Sequence, residues 1–292
     1  MHTMSRHIKE KIKKHTFREL VSIFDEKYGI GRLERLIASN WFNPLATLWL
    51  NFRSFPLSQA LRLPVWCYGR PRFYGLSGKM TIDGKITTGM VRLNRVLVAA
   101  PSNMGLQSEI LNNGHIVFKG RLHISTGNNI VVGRNATLTF GADAKIGDMC
   151  NIGCFERITL GDAIRIAHRT QIFDSNYHFV VNFKRGIIPN YKHPVTLGKG
   201  CWVCNSSTIT CGVTLPDYTI VASNSLVNKE LSQIAKGSLI GGIPAKVITE
   251  GTRRIFNNDI EAKVEEFYRE NPASLYEIDP SVDVEEYSRM TN

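Results

Sequence analysis

No stretch of the 292 residues reaches the ~18 consecutive apolar side chains that a membrane-spanning helix requires. The basic residues near the start are not followed by the apolar run of about 7–15 residues that marks a secretory signal, which points to a cytoplasmic protein. Acidic charge is also scarce: 25 Asp and Glu stand against 36 Lys and Arg, a formal net charge of +11. The deficit is concentrated in residues 1–79, with 14 basic side chains against 5 acidic ones. Near the end the sign reverses, with Glu277, Asp279, Asp283, Glu285 and Glu286 against Arg289 alone. A basic body favours anionic partners such as phosphorylated cofactors, acidic glycans or anionic membrane. Dense Lys/Arg runs with interleaved aromatics are missing from the β-rich part, which argues against nucleic acid. Cys67, Cys150, Cys154, Cys201, Cys204 and Cys211 read as reduced thiols in such a compartment.

What the sequence does have is a short repeat. From about residue 116, strand-like pieces alternate with Gly, Asn and Asp. Large apolar residues recur at Val132, Phe140, Ile146, Ile152, Leu160, Ile166 and Ile172, in steps of 8, 6, 6, 8, 6 and 6. After an interruption the series resumes at Leu197, Val203, Ile209, Leu215, Val221 and Val227, every step being 6. A helix would repeat its apolar stripe at about 3.6 residues, so this period excludes one. A six-residue unit suits one flat strand and one sharp turn, three units making a triangular coil whose stacking builds an apolar column. Small or β-branched residues four places on (Ala136, Ala144, Cys150, Thr170, Ser207, Val213, Thr219, Ser225) share the cramped interior. Gly133, Gly141, Gly147, Gly153, Gly161 and Gly198 follow the large residue and are expected to permit the tight corner.

The phase of the repeat also locates its interruption. The two eight-residue steps lie 20 residues apart and therefore add residues at one corner of successive coils. One coil later the step from Ile172 to Leu197 spans 25 residues at that same corner. Loops longer than about 12–15 residues inside a compact repeat are commonly functional, so residues 173–195 are the first place to seek a site.

The segments "KHPVTLGKGCWVCNSSTITCGVTLPDYTIVASNSLVNK" (192–229) and "GSLIGGIPAKVI" (237–248) resemble the last coils of hexapeptide-repeat acyltransferases of the maltose, galactoside and xenobiotic acetyltransferase type. With "YGRPRFYGLSGK" (68–79), "DMCNIGC" (148–154) and "DSNYH" (174–178), the chain looks most similar to bacterial capsular-polysaccharide O-acetyltransferases. The resemblance implies a mainly β fold, a left-handed parallel β-helix with helical segments before and after it. It implies acetyl-CoA as acyl donor, a sugar or glycan hydroxyl as acceptor, and a homotrimer. Acetylation of an amino sugar, or a β-helix that only binds a glycan or partner, are the alternatives. The expected organisation is an N-terminal helical region over 1–78, the β-helix domain over 79–250 with the loop 173–195 extruded from it, and a C-terminal helix and acidic tail over 251–292.

Acyl transfer from a thioester to a hydroxyl needs a base beside the hydroxyl, and histidine suits that role because its pKa lies near neutrality. By the resemblance, His178 in the loop is that base. His193, before Pro194, is the rival or a loop-closing residue, and His115, His123 and His168 read as structural or surface groups. Asp174 and Asn176 either orient His178 and bind acceptor hydroxyls or simply cap a turn. Asn151 and Glu156 are the further acceptor-binding candidates. For the cofactor, the resemblance assigns Trp202 to packing on the CoA arm, Ser206 and Ser207 to amides beside the pantetheine, and Lys246 to the CoA phosphates, a role suited to a mobile point charge. Cys201-x-x-Cys204 suggests zinc, but Cys150/Cys154, with different spacing, is the only other close pair, and Cys150 and Cys201 occupy small interior slots of the repeat. Packing is the better reading, and no metal is expected.

In the flanks, residues 6–28 read as an amphipathic helix ended by Gly29, and Ile260, Val264, Phe267 and Tyr268 as a second short one. The acidic tail after Pro272 reads as loosely ordered. Trp41, Phe42, Trp49, Phe52, Phe55 and Trp66, interleaved with Arg53 and Arg62, either cover the open end of the β-helix or seat the protein at an anionic membrane.

Overall fold

The computed structural model describes residues 41–96, 106–279 and 281–290; the helix read at 6–28 lies outside them. Within the described residues the hexapeptide units wind as a left-handed parallel β-helix of three sheets. The first sheet stacks Val65–Cys67, Val91–Leu93, Leu122–Ile124, Ala144–Ile146, Arg165–Ile166, Trp202–Val203, Ile220–Val221 and Leu239–Gly242, all parallel. It ends in an antiparallel hairpin strand, Ala245–Thr249. The second sheet starts at Arg72–Leu76 and the third at Lys79–Ile82, with seven and six strands.

The interior is the one the period specifies. Val132, Ile146, Ile152, Ile166, Val203, Ile209 and Val221 are all 3% exposed or less, and the small residues Ala136, Cys150, Thr170, Ser207 and Thr219 are buried beside them. Phe118 and Phe140 stack in the third sheet with ring centroids 5.8 Å apart, and Phe55 continues the column at 6.2 Å.

Four expectations about the fold need correction. The boundary expected between residues 78 and 79, and the onset expected near 116, both fall inside the β-helix, whose first coil begins at Val65. The early coils escape the period because Asn112 occupies an interior slot, in register between Leu76 and Val132. Its side chain donates to the Lys79 carbonyl (3.1 Å) and accepts from the Gly114 amide (3.1 Å), which makes a polar residue tolerable there.

The repeat glycines do not supply left-handed corners. That conformation falls two residues later, on Asp143 (φ 54°), Met149 (φ 56°) and Ala163 (φ 57°). Gly141, Gly161 and Gly198 instead form a column of close coil-to-coil approach. A Cβ on Gly141 would lie 2.4 Å from the Gly161 carbonyl carbon, and one on Gly161 would lie 2.5 Å from that of Gly198.

The acidic tail is docked rather than loose. A helix over Val284–Ser288 places Glu285 against Arg253 (2.6 Å), and the Phe256 amide donates to the Tyr287 carbonyl (2.8 Å). The reason is charge: the acidic end of the chain finds the basic strand-crossing segment that follows the hairpin. The helix read around Ile260 is present over Asn258–Glu270, its first turn capped by the Asn257 side chain.

At the other end, a helix over Pro44–Ser54 covers the exposed edge of Val65–Cys67. Asn51 donates to the Val65 carbonyl (2.7 Å) and accepts from the Val65 amide (3.1 Å), while the Thr47 hydroxyl accepts from the Cys67 amide. These bonds satisfy backbone groups that would otherwise template association with another strand. The opposite face of the same helix leaves Leu45, Leu48, Trp49 and Phe52 exposed. Among the described residues no helix is long and apolar enough to cross a membrane.

Candidate active site

The loop leaves the prism after Gln171–Phe173, the last residues of a second-sheet strand, and returns at Val195–Leu197 in the third. This is the corner that the repeat's phase identifies. Asp174 fixes the loop's root. It is fully buried, and its two carboxylate oxygens accept the amides of Phe155 (2.7 Å) and Glu156 (2.8 Å) from the coil below. Its backbone carbonyl accepts the His193 amide (3.0 Å), and a bridge between Ser175 and Lys192 closes the neck. Asp174 is therefore a clamp between coils and loop, which accords with the capping alternative.

Past the neck, Tyr177 folds back on the prism with its ring 5.0 Å from Phe155 and 5.9 Å from Phe173. Gly153 makes room for this: a Cβ there would lie 2.6 Å from Phe173 and 2.8 Å from the Tyr177 hydroxyl. His178 follows directly. Its amide donates to the Asn176 carbonyl (2.7 Å), and its imidazole is exposed, with no hydrogen-bond or ion-pair partner among the described residues. The rest of the loop is an arm in open solvent that mixes apolar and basic side chains: Phe179, Val180, Phe183 and Ile188 are exposed, Phe183 at 88%, beside Lys184 and Arg185.

Asn176, Glu156 and His193 share this corner. The Cys211 thiol lies 3.6 Å from the Asn176 side-chain oxygen, and Glu156 is exposed. The His193 backbone ties the returning chain in place, through Asp174 on one side and the Gly212 amide (3.1 Å) on the other, while its side chain is exposed. Asn151 is not at this corner. It begins its strand at the far edge of the second sheet, stacked between Asn129 and Gln171.

The cofactor candidates lie elsewhere again. Trp202 belongs to the first sheet, the face opposite the loop's corner, and the Arg254 guanidinium sits 5.0 Å over its ring. That side of the indole is packed against its own chain. The Ser206 amide donates to the His168 carbonyl (3.0 Å), and Ser207 is buried with its hydroxyl donating to the Ala222 carbonyl (2.9 Å). The Ser206 amide and the Ser207 hydroxyl are thus committed to the coils. Lys246 is exposed on the terminal hairpin.

Cys150 and Cys201 point inward, each donating to a carbonyl 3.1 Å away (Ala167 and Pro216), and burial pushes both thiols up to about 12. Packing accounts for them. Burial also pushes His123 down to about 4 despite a 2.7 Å bond to the Arg95 carbonyl, and the Arg95, Lys145 and Arg92 charges add to that shift.

One feature of the first sheet has no counterpart in the sequence reading. Arg92, His123, Lys145 and Arg165 stand in register on successive strands, facing outward. The signal was available: each immediately precedes an interior aliphatic residue (Leu93, Ile124, Ile146, Ile166).

No family model matches the chain. It is similar to the bifunctional protein GlmU of Clostridium beijerinckii, at 26% identity over 53% of this chain and 36% of that protein. It is also similar to the galactoside O-acetyltransferase of Escherichia coli, at 28% identity over 44% of this chain and 58% of that protein. The chain thus spans between about a third and three-fifths of the length of these relatives. Among solved structures, the polySia-specific acetyltransferase NeuO superposes with a TM-score of 0.50 at 16% identity, over 71% of this chain and 84% of that one. The resemblance to the hexapeptide-repeat acetyltransferases is borne out by these relatives, and the fold by the superposition.

Proposed function

We propose that the chain is a CoA-dependent acyltransferase that moves an acetyl group from acetyl-CoA to a hydroxyl of a sugar or capsular-polysaccharide precursor, working as a cyclic homotrimer. His178 accepts the hydroxyl proton as the oxygen attacks the thioester carbonyl. The tetrahedral intermediate collapses with cleavage of the C–S bond, and the imidazolium returns the proton to the departing thiolate. Glu156 and Asn176 at the same corner, and Asn151 on the outer row of the second sheet, are the acceptor-binding groups in this reading.

The observation that carries it is the division of parts between opposite sides of one prism. His178 stands exposed and unpartnered at the root of the exposed arm, while Trp202 and Lys246 lie on the face opposite that corner. A second copy brought in by threefold rotation supplies the missing wall, with the arm of one chain reaching the neighbour's cofactor face. Exposed apolar side chains on this scale mark an interaction surface. The exposed face of the Pro44–Ser54 helix, beside Arg53, is suited to peripheral contact with an anionic membrane, in addition to its capping role.

The test is thiol release from acetyl-CoA against a panel of mono- and oligosaccharides, with product mass analysis and light scattering on the same sample. The expected result is acceptor-dependent release, a sugar heavier by one acetyl group, and a particle of three times 32.8 kDa. Saturable sugar binding without thiol release overturns the enzyme in favour of a binding protein. Full activity at monomer mass overturns the shared site.

A further inference from the structure

The outward row of the first sheet carries three cations and one imidazole on four consecutive coils. Parallel strands are spaced about 4.8 Å apart, so Arg92, His123, Lys145 and Arg165 form a column about 14 Å long. The column floors a cavity of about 460 Å³, within the range of small-molecule sites. Phe256, Asn258 and Met290 of the docked C-terminal segment form its far wall.

Among the described residues its charge is only partly compensated, Asp143 being the one acidic group that acts on Arg165. The one carboxylate on the lining, Asp143, is bound to Arg121 at 2.7 Å. Neither Arg92 nor Lys145 has a carboxylate partner among the described residues. Arg165 is 9% exposed, and its guanidinium is held by carbonyls rather than by an acid: those of Asp143 (2.6 Å), Ala163 (3.0 Å) and Ile164 (3.0 Å), with Phe256 stacked at 4.9 Å. A buried guanidinium without a carboxylate is a charge that a bound anion would satisfy. Burial and mutual repulsion lower the proton affinity of Lys145, with Arg165 and Arg254 as the repelling charges, and of Arg165, with Arg254. His123 donates Nε2–H to the Arg95 carbonyl in the neutral state, which leaves Nδ1 free to gain a proton beside an anion.

We infer that this cavity is a binding site for a small ligand carrying at least two oxyanion charges, phosphate or carboxylate, held by Arg92, Lys145 and His123 over the fixed charge of Arg165. It lies on the same face as the cofactor candidates, with Trp202 in register beside Arg165 on the next strand, but Lys246 is five strands from Lys145 along the first sheet, about 24 Å.

The probe is inorganic pyrophosphate, titrated calorimetrically into the full chain at constant ionic strength, with citrate as the carboxylate arm. The expected result is saturable binding of one ligand per chain, weakened about tenfold or more by joint R92Q and K145Q substitution. Tighter pyrophosphate identifies a phosphate-bearing ligand, and tighter citrate a carboxylate-bearing one. K145R should retain binding and K145E abolish it, and all variants should keep the wild-type far-UV spectrum, since both positions are exposed. Binding lost at about 0.15 M sodium chloride, or abolished by K246Q while R92Q/K145Q leaves it intact, overturns the site. Failure of the acyltransferase reading is distinguishable: it removes thiol release while pyrophosphate binding persists.

Discussion

The corner that extrudes residues 173–195 and the first-sheet face beneath the C-terminal segment are built on opposite plans. At the corner, a buried carboxylate fixes a neck by backbone hydrogen bonds, and the loop beyond it is exposed, with Phe179, Val180, Phe183 and Ile188 in water beside Asn182, Lys184 and Arg185. On the first face, cations are crowded under a covering that the chain itself supplies, through Arg253 with Glu285 and Arg254 over Trp202. On the proposals above, the first surface meets another copy of the chain and the second binds an anion. The repeat specifies neither; it supplies a rigid prism on which each is mounted at a fixed height.

The largest stability effect is expected at the corner. Asp174→Ala leaves the Phe155 and Glu156 amides without their acceptor in a partly buried position, at a cost of roughly 2–4 kcal/mol. Urea unfolding measures this directly, and protease cutting within 175–192 should accelerate as the neck opens. An unchanged midpoint would mean that the clamp is dispensable and that the two regions are not built as described.

The first face should respond to acid instead. His123 has a folded-state pKa of about 4 against an ordinary 6.5, so the folded state binds fewer protons there than the unfolded chain. Its contribution is present above pH 6.5 and is lost as the pH falls toward 4. Between pH 7 and pH 4.5 the wild type should lose about 2–3 kcal/mol more than His123→Gln. Equal acid sensitivity of the two proteins would place the imidazole in water rather than among Arg92, Arg95 and Lys145.

The smallest effect belongs to the shared scaffold. Gly161→Ala puts a Cβ 2.5 Å from the Gly198 backbone and should cost roughly 1–3 kcal/mol without changing pH dependence or loop cutting. Gly186→Ala is the control, since nothing lies within 4 Å of a Cβ there, although its φ of +63° adds some strain.

The interior was legible in the sequence because large and small residues alternate at a fixed phase, and that phase also placed the loop at one corner. Coils upstream of residue 116 were hidden by polar Asn112 in an interior slot. The glycines were legible as necessary but not for the right reason, since clearance between coils lies between residues about 20–37 apart and not in a local turn. The surroundings of Asp174, Trp202 and Ser207 were not legible for a related reason. Their roles depend on what lies over or under them, and those partners (the amide of Phe155, Arg254, the carbonyl of Ala222) lie between 15 and 52 residues away. The basic column lies outside the six-residue period, because it stands on the outward neighbour of each inward residue that sets that period.

Thiol release from acetyl-CoA, with the acceptor identified from the saccharide panel, tests the account most directly when His178→Ala and His193→Ala are compared with the wild type. The account predicts that His178→Ala lowers kcat by roughly 10²–10⁴ with little change in the KM for acetyl-CoA, while His193→Ala stays within a few-fold of wild type. Near-native turnover in His178→Ala, together with loss of turnover in His193→Ala, would contradict it and move the base to the returning strand of the loop.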